Sequence, residues 1–176
     1  LLRRPPRSSL VRSSAASDVY KRQMFAVRCI LGCNSGPPMT PGGYNQNVQL
    51  FQTPNHVVLL NEMVHSSRVI PLDGRDHISD NVRQWMGDSR GHWEGNTLVV
   101  TTTRINEPFF DDIGTPQSEA IEIVERFTLN ESEDELQYRV VLTDPATFTE
   151  PATMSGVWFW KPGEEIKPFE CALPDA

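Results

Sequence analysis

Long apolar runs are missing from this sequence. None reaches the roughly 18 residues that a membrane-spanning helix needs, so a helical membrane span is excluded. Cysteine is scarce: three in 176 residues exclude a disulfide-dense miniprotein. Positive charge is in deficit, with 16 Lys and Arg against 23 Asp and Glu and a net charge of −7. A chain of that sign is not a nucleic-acid binder as a whole. A long helical apolar period is also missing, which argues against a helix bundle. What is present is 38% hydrophobic residues, with 14 Pro and 11 Gly. That is enough for one domain with a core and too little for two.

The charge is unevenly spread. In residues 1–23, Arg3, Arg4, Arg7, Arg12, Lys21 and Arg22 stand against the single acid Asp18. A basic arm or an Arg-rich targeting peptide would look like this. The string SSAASDVYKRQ, however, resembles a translated sequencing adapter, so 1–23 is expected to be a disordered, non-native segment. It also hides any signal peptide. Residues 24–46 follow as an extended strap, because GPPMTPGGYNQN is too rich in Pro and Gly for a helix or central strand.

From residue 47 to 176 the signals are those of strands. NVQLFQT (47–53) alternates, and Pro54-Asn55 breaks it. HVVLLNEMV (56–64) is continuous and apolar, which predicts a strand buried on both faces. RVIPL (68–72) ends at the turn pair Asp73-Gly74. ISDNVRQWMG (78–87) predicts about one helical turn with Asp80 as its N-cap. GHWEGNTLVVTTT (91–103) reads as a hairpin turning at Gly95-Asn96. Glu94 then faces Thr97, Trp93 faces Leu98 and His92 faces Val99, with Trp93, Leu98 and Val100 turned to the core. AIEIVERFTL (120–129), ELQYRVVLT (135–143) and the aromatic MSGVWFWK (154–161) complete the set. About seven strands with short turns predict an antiparallel all-β meander, either a lipocalin-like open barrel or a β-sandwich. The barrel is favoured because closure removes exposed strand edges and leaves a ligand cavity.

Cys29 and Cys33 precede the first strand and Cys171 lies far downstream. Zinc would want a second cysteine pair, which is missing. A Cys29–Cys171 disulfide would tie the strap to the end of the chain and needs an oxidising compartment. Cys33 would then be left over, or would compete with Cys29.

Two long strings carry a likeness. CILGCNSGPPMTPGGYNQNVQLFQTPNHVVLLNEMVHSSRVIPLDGR and QWMGDSRGHWEGNTLVV resemble a widespread, uncharacterised family of exported bacterial proteins. The likeness runs from about residue 28 to about residue 171. It brings no established activity. It implies a secreted or periplasmic location and cysteines matching Cys29 and Cys171, and it favours their pairing over one that uses Cys33. The chain departs from the family at ALPDA, where family members continue, so a C-terminal truncation is expected.

Several residues carry candidate chemistry. Glu125 shares an alternating stripe with Ile121, Ile123, Phe127 and Leu129, so a regular strand buries it. A buried carboxylate must be paired or raised in pKa. It is therefore a general base or ligand anchor in a cavity, or half of an ion pair with Arg83, Arg90 or Arg104, or turned outward by a bulge; the catalytic reading uses Glu125 or Glu62 with His65 or His92. His92 and Glu94 share a face, whereas Glu62 and His65 converge only at a bulge or strand end. Asp88 is expected to pair with Arg90, or else to orient His92 beside Ser89. Arg75 and His77 are placed at a cavity mouth. Trp93 and Trp158 are candidates to stack on a ligand, with Asp88, Arg90 and Arg75 as its polar contacts. No metal and no cofactor is expected.

The leading expectation is an exported β-barrel domain that binds a small molecule or carbohydrate, with no nucleic-acid partner and no membrane span. A hydrolase or lyase using a carboxylate and a His is the alternative. A structural or interaction module without a pocket is the third.

Overall fold

Alternation of β-branched and aromatic residues builds eight strands in the computed structural model, which describes residues 30–32, 35–40, 46–109 and 115–170. They are β1 Val48–Gln52, β2 His56–Asn61, β3 Ser67–Pro71, β4 Asp88–Glu94, β5 Thr97–Thr103, β6 Glu122–Leu129, β7 Glu135–Thr143 and β8 Ala152–Phe159. β1, β2 and β3 form a three-stranded sheet, and β4 to β8 form a five-stranded one, each in sequence order. Every pairing between these strands is antiparallel. The chain is all-β, as its periodicity predicts, and no α-helix occurs among the described residues.

The sheets do not close into a barrel. They share one core, which draws Val57, Leu59 and Ile70 from the small sheet and Leu98, Val100, Ile123, Phe127, Val140 and Leu142 from the large one. Gly91 shows how close the approach is. A Cβ there would stand 2.7 Å from Ile70 Cγ2 and 2.9 Å from Leu72 Cδ2, so only glycine lets β4 pass under the end of β3. Side-chain packing thus replaces the backbone ladder that barrel closure would have required.

The hairpin of β4 and β5 has the expected register, with Glu94 opposite Thr97, Trp93 opposite Leu98 and His92 opposite Val99. Gly95 takes φ 62, which a two-residue primed turn demands. Along β6, Ile123, Glu125 and Phe127 are buried as the stripe predicts, while Leu129 at its end is 37% exposed. Of the strap, Ser35 and Met39 are described and buried. Asn61 Nδ2 donates to Ser35 O at 3.1 Å.

Three expectations need correction. The strand from 56 ends at Asn61 and is not buried on both faces; its residues alternate between half-buried and buried. Met63–His65 instead make a 3-10 turn, with Val64 and His65 at positive φ. No helical turn forms over 78–87. Gln84 pairs with the chain after β5, its N–H reaching Arg104 O at 3.1 Å, and Asp80 forms an ion pair with Arg104 rather than capping a helix. Tertiary partners here override a weak local preference. Finally, Trp93 is not core, being 44% exposed at the hairpin end.

Candidate functional site

The deepest polar group is Glu125, fully buried on the inner face of β6. Its partner is Arg68 of β3, not Arg83, Arg90 or Arg104. Arg68 shares the inner face of the small sheet with Ile70, so its guanidinium points across the core. Nη1 donates to Oε2 at 2.5 Å and Nη2 to Oε1 at 3.0 Å, a two-pronged fit of fork to carboxylate. Tyr138 Oη, from the neighbouring β7, donates to Oε1 at 2.9 Å and accepts from Met39 N–H at 3.0 Å. Burial, and then the adjacent carboxylate, push the Tyr138 phenol well above its ordinary pKa. Strap, small sheet and large sheet are thereby tied at one point. Both Glu125 oxygens are engaged, and Arg68 Nε has no partner among the described residues.

No histidine joins this group. His92 projects from the outer face of β4, where Nε2 is 3.2 Å from Glu94 Oε1. Arg126 also pairs with Glu94, and it, followed by His92, holds the Glu94 carboxyl below its usual range. Glu62 Oε2 accepts from Asn47 Nδ2 at 2.8 Å. His65 Nε2 lies 2.8 Å from Lys167 O and 3.1 Å from Phe169 N. With its proton on Nε2 it donates to Lys167, and with the proton on Nδ1 it accepts from Phe169. The four candidate acid–base residues thus stand in three separate places.

A second polar cluster gathers where β4 begins. Asp88 Oδ1 accepts from Arg90 Nη1 at 2.8 Å, as expected. Its Oδ2 takes His77 Nδ1 at 2.8 Å, so the histidine it orients is His77, not His92. Ile78 N–H adds a bond at 3.2 Å, and Arg90 Nε donates to Asp76 O at 3.0 Å. The cluster pins the loop that follows β3. Ser89 faces the other way, with its hydroxyl 2.8 Å from that of Thr102. Arg75 pairs with Asp73 in an exposed turn, and that contact lowers the Asp73 carboxyl to about 2.

The third feature is an opening. On the inner face of the large sheet, one cross-strand row runs Trp93, Leu98, Phe127, Tyr138. The next runs Leu129, Leu136, Trp158. Leu98, Phe127 and Tyr138 are buried, yet Trp93 is 44% and Leu129 37% exposed. Trp158 is half-buried, set edge-on to Tyr138 with centroids 5.4 Å apart, and its Nε1–H donates to Gln46 O at 3.0 Å. The apolar interior therefore reaches solvent along this end. The exposed and half-buried strip is Trp93, Leu129, Leu136 and Trp158, drawn from β4, β6, β7 and β8, and it runs from one edge of the sheet to the other, roughly 19 Å at a strand spacing of about 4.8 Å. Asp88 and Arg90 belong to the far end of β4, away from it.

Cys29 and Cys171 lie outside the described residues. Among the described residues no three His, Cys, Asp or Glu side chains converge as a metal site requires. No helix there is long and apolar enough to cross a membrane. Arg68, Tyr138 and His77 are the polar partners that strand parity alone left unmatched. Parity does place Arg68 with Ile70, and Tyr138 with Val140 and Leu142. Nothing local marks His77 as the partner of Asp88. No family model, no curated protein and no solved structure matches the chain.

Proposed function

We propose that the chain is an exported binding domain, a β-sandwich open at one end, that holds a small molecule or carbohydrate along the strip from Trp93 to Trp158. The observation that carries this reading is the exposure of Trp93 and Leu129 on a face otherwise buried. An indole ring and an aliphatic side chain left in water beside a second, half-buried indole are what a sugar face or a flat apolar ligand covers. The length of the strip favours an extended ligand, such as an oligosaccharide, over a compact one. The exported compartment, and with it a Cys29–Cys171 disulfide, rests on the family resemblance.

The test is a titration of the full chain with soluble oligosaccharides and with aromatic acids, followed by tryptophan fluorescence and by the thermal midpoint. A binding class moves both, and saturating ligand at about 100 times Kd raises stability by about 2.7 kcal/mol. Trp93→Ala abolishes the response while the domain stays folded. Silence across both classes overturns the reading.

A hydrolase or lyase reading has one supporting observation, and it is not at Glu125. Asp88 holds His77 Nδ1, which orients the ring as a general base is oriented. His77→Ala would abolish turnover of a substrate found by screening, and binding without turnover would favour the first reading.

A further inference from the structure

β1 is an uncharged edge strand. Its sequence VQLFQ has no charge and no proline. Asn47 O accepts from Glu62 N, and Thr53 N donates to His56 O, so the odd-numbered residues spend their backbone groups on β2. The N–H and C=O groups of Val48, Leu50 and Gln52 therefore point to the open edge. Among the described residues nothing bonds to them.

Two of the other edges are guarded. β3 ends in Pro71, which has no N–H to offer. β4 carries Asp88, Arg90, His92 and Glu94 along one face. β8 likewise has no charge and no proline, with Val157 45% and Phe159 59% exposed, but Gly156 interrupts it. On β1, Leu50 is 43% and Phe51 46% exposed, on opposite faces of the strand. The outer face of the small sheet continues the apolar surface through Val58 and Val69, paired in register with Phe51. That face holds no Asp, Glu, Lys or Arg.

We propose that two copies of this chain pair through β1, antiparallel about Leu50, joining two three-stranded sheets into one of six strands. Three observations choose a second copy over another occupant. A two-fold axis at Leu50 sets Val48 against the partner's Gln52 and Leu50 against its twin, and these are the residues whose backbone groups point outward. Every position matched in this way is uncharged, so the strand meets itself without repulsion. And each copy carries −7, so the charge-free face is where two copies approach at least electrostatic cost. The pairing also covers Leu50, an exposed apolar side chain on the inner side of the strand.

The test is sedimentation of the full chain over a concentration series. The expected result is a monomer–dimer equilibrium. Leu50→Lys sets like charges directly opposite each other and weakens it roughly tenfold or more, with the thermal midpoint of the monomer unchanged. Leu50→Cys reports geometry without relying on affinity. Opposed Cα atoms in a hydrogen-bonded pair stand about 5.5 Å apart, within disulfide reach. Oxidation then links two copies through the introduced thiol, as peptide mapping would show. A chain that stays monomeric overturns the proposal, as does a dimer indifferent to Leu50→Lys. Hydrogen-exchange protection of Leu50 in a monomer would mean that another part of the same chain covers the edge, and overturns it too.

Discussion

The inner face of the large sheet has two regions built by one alternation and closed in opposite ways. In the middle, β6 presents Glu125, and the small sheet answers with Arg68. At the hairpin end, β4 presents Trp93 and β6 presents Leu129, and both remain over a third exposed. A polar group that folding cannot leave unpaired is sealed completely. Apolar groups that folding would gladly bury stay open. Burial therefore does not follow hydrophobicity along this face. It follows which partners the fold brings to each place, Arg68 and Met39 in the middle.

The largest expected effect breaks the sealed region. Glu125→Ala leaves the Arg68 guanidinium buried without its counter-charge, at a cost of about 3–5 kcal/mol in urea denaturation. Adding Arg68→Met to it removes the stranded charge and recovers part of that loss. A single variant near wild-type stability would mean that water reaches the pair and that the middle is not sealed.

The next effect is smaller and depends on pH. Tyr138→Phe deprives Glu125 of one donor and Met39 N–H of its acceptor, at about 1–3 kcal/mol. The phenol pKa is raised in the folded state. Its contribution is therefore fully present below the unfolded value near 10, and is lost as pH climbs through the folded one. Wild type loses stability in that alkaline window, and Tyr138→Phe flattens this limb. Equal alkaline slopes in both proteins would count against a sealed phenol.

Much of this contrast is legible in the sequence. The parity of 120–129 places Glu125 inward, and Gly95-Asn96 sets the hairpin register. The partner of Glu125 is not legible in that way, because pairing across two sheets depends on how they stack, and no local pattern states the stacking. Arg68 is readable as inward-facing only once β3 is known to share a core with β6. Trp93 misleads for a related reason. Parity tells which face a side chain joins but not whether anything covers that face there. The segment 78–87 misleads because Asp80 finds Arg104, a partner outside the reach of local propensity.

The smallest expected effect sharpens the open region. Trp93→Ala removes a ring that keeps nearly half its surface in water, so it costs about 1 kcal/mol, well below the 3–5 kcal/mol of a buried aromatic. If the hairpin end is a ligand-binding strip, ligand changes that figure. Wild type gains stability with oligosaccharide and Trp93→Ala does not, so the gap between them widens with ligand concentration. If the strip has no ligand, the gap stays constant at its small intrinsic value. A loss of several kcal/mol without ligand would show that Trp93 is packed after all, and the distinction between a sealed middle and an open end would disappear.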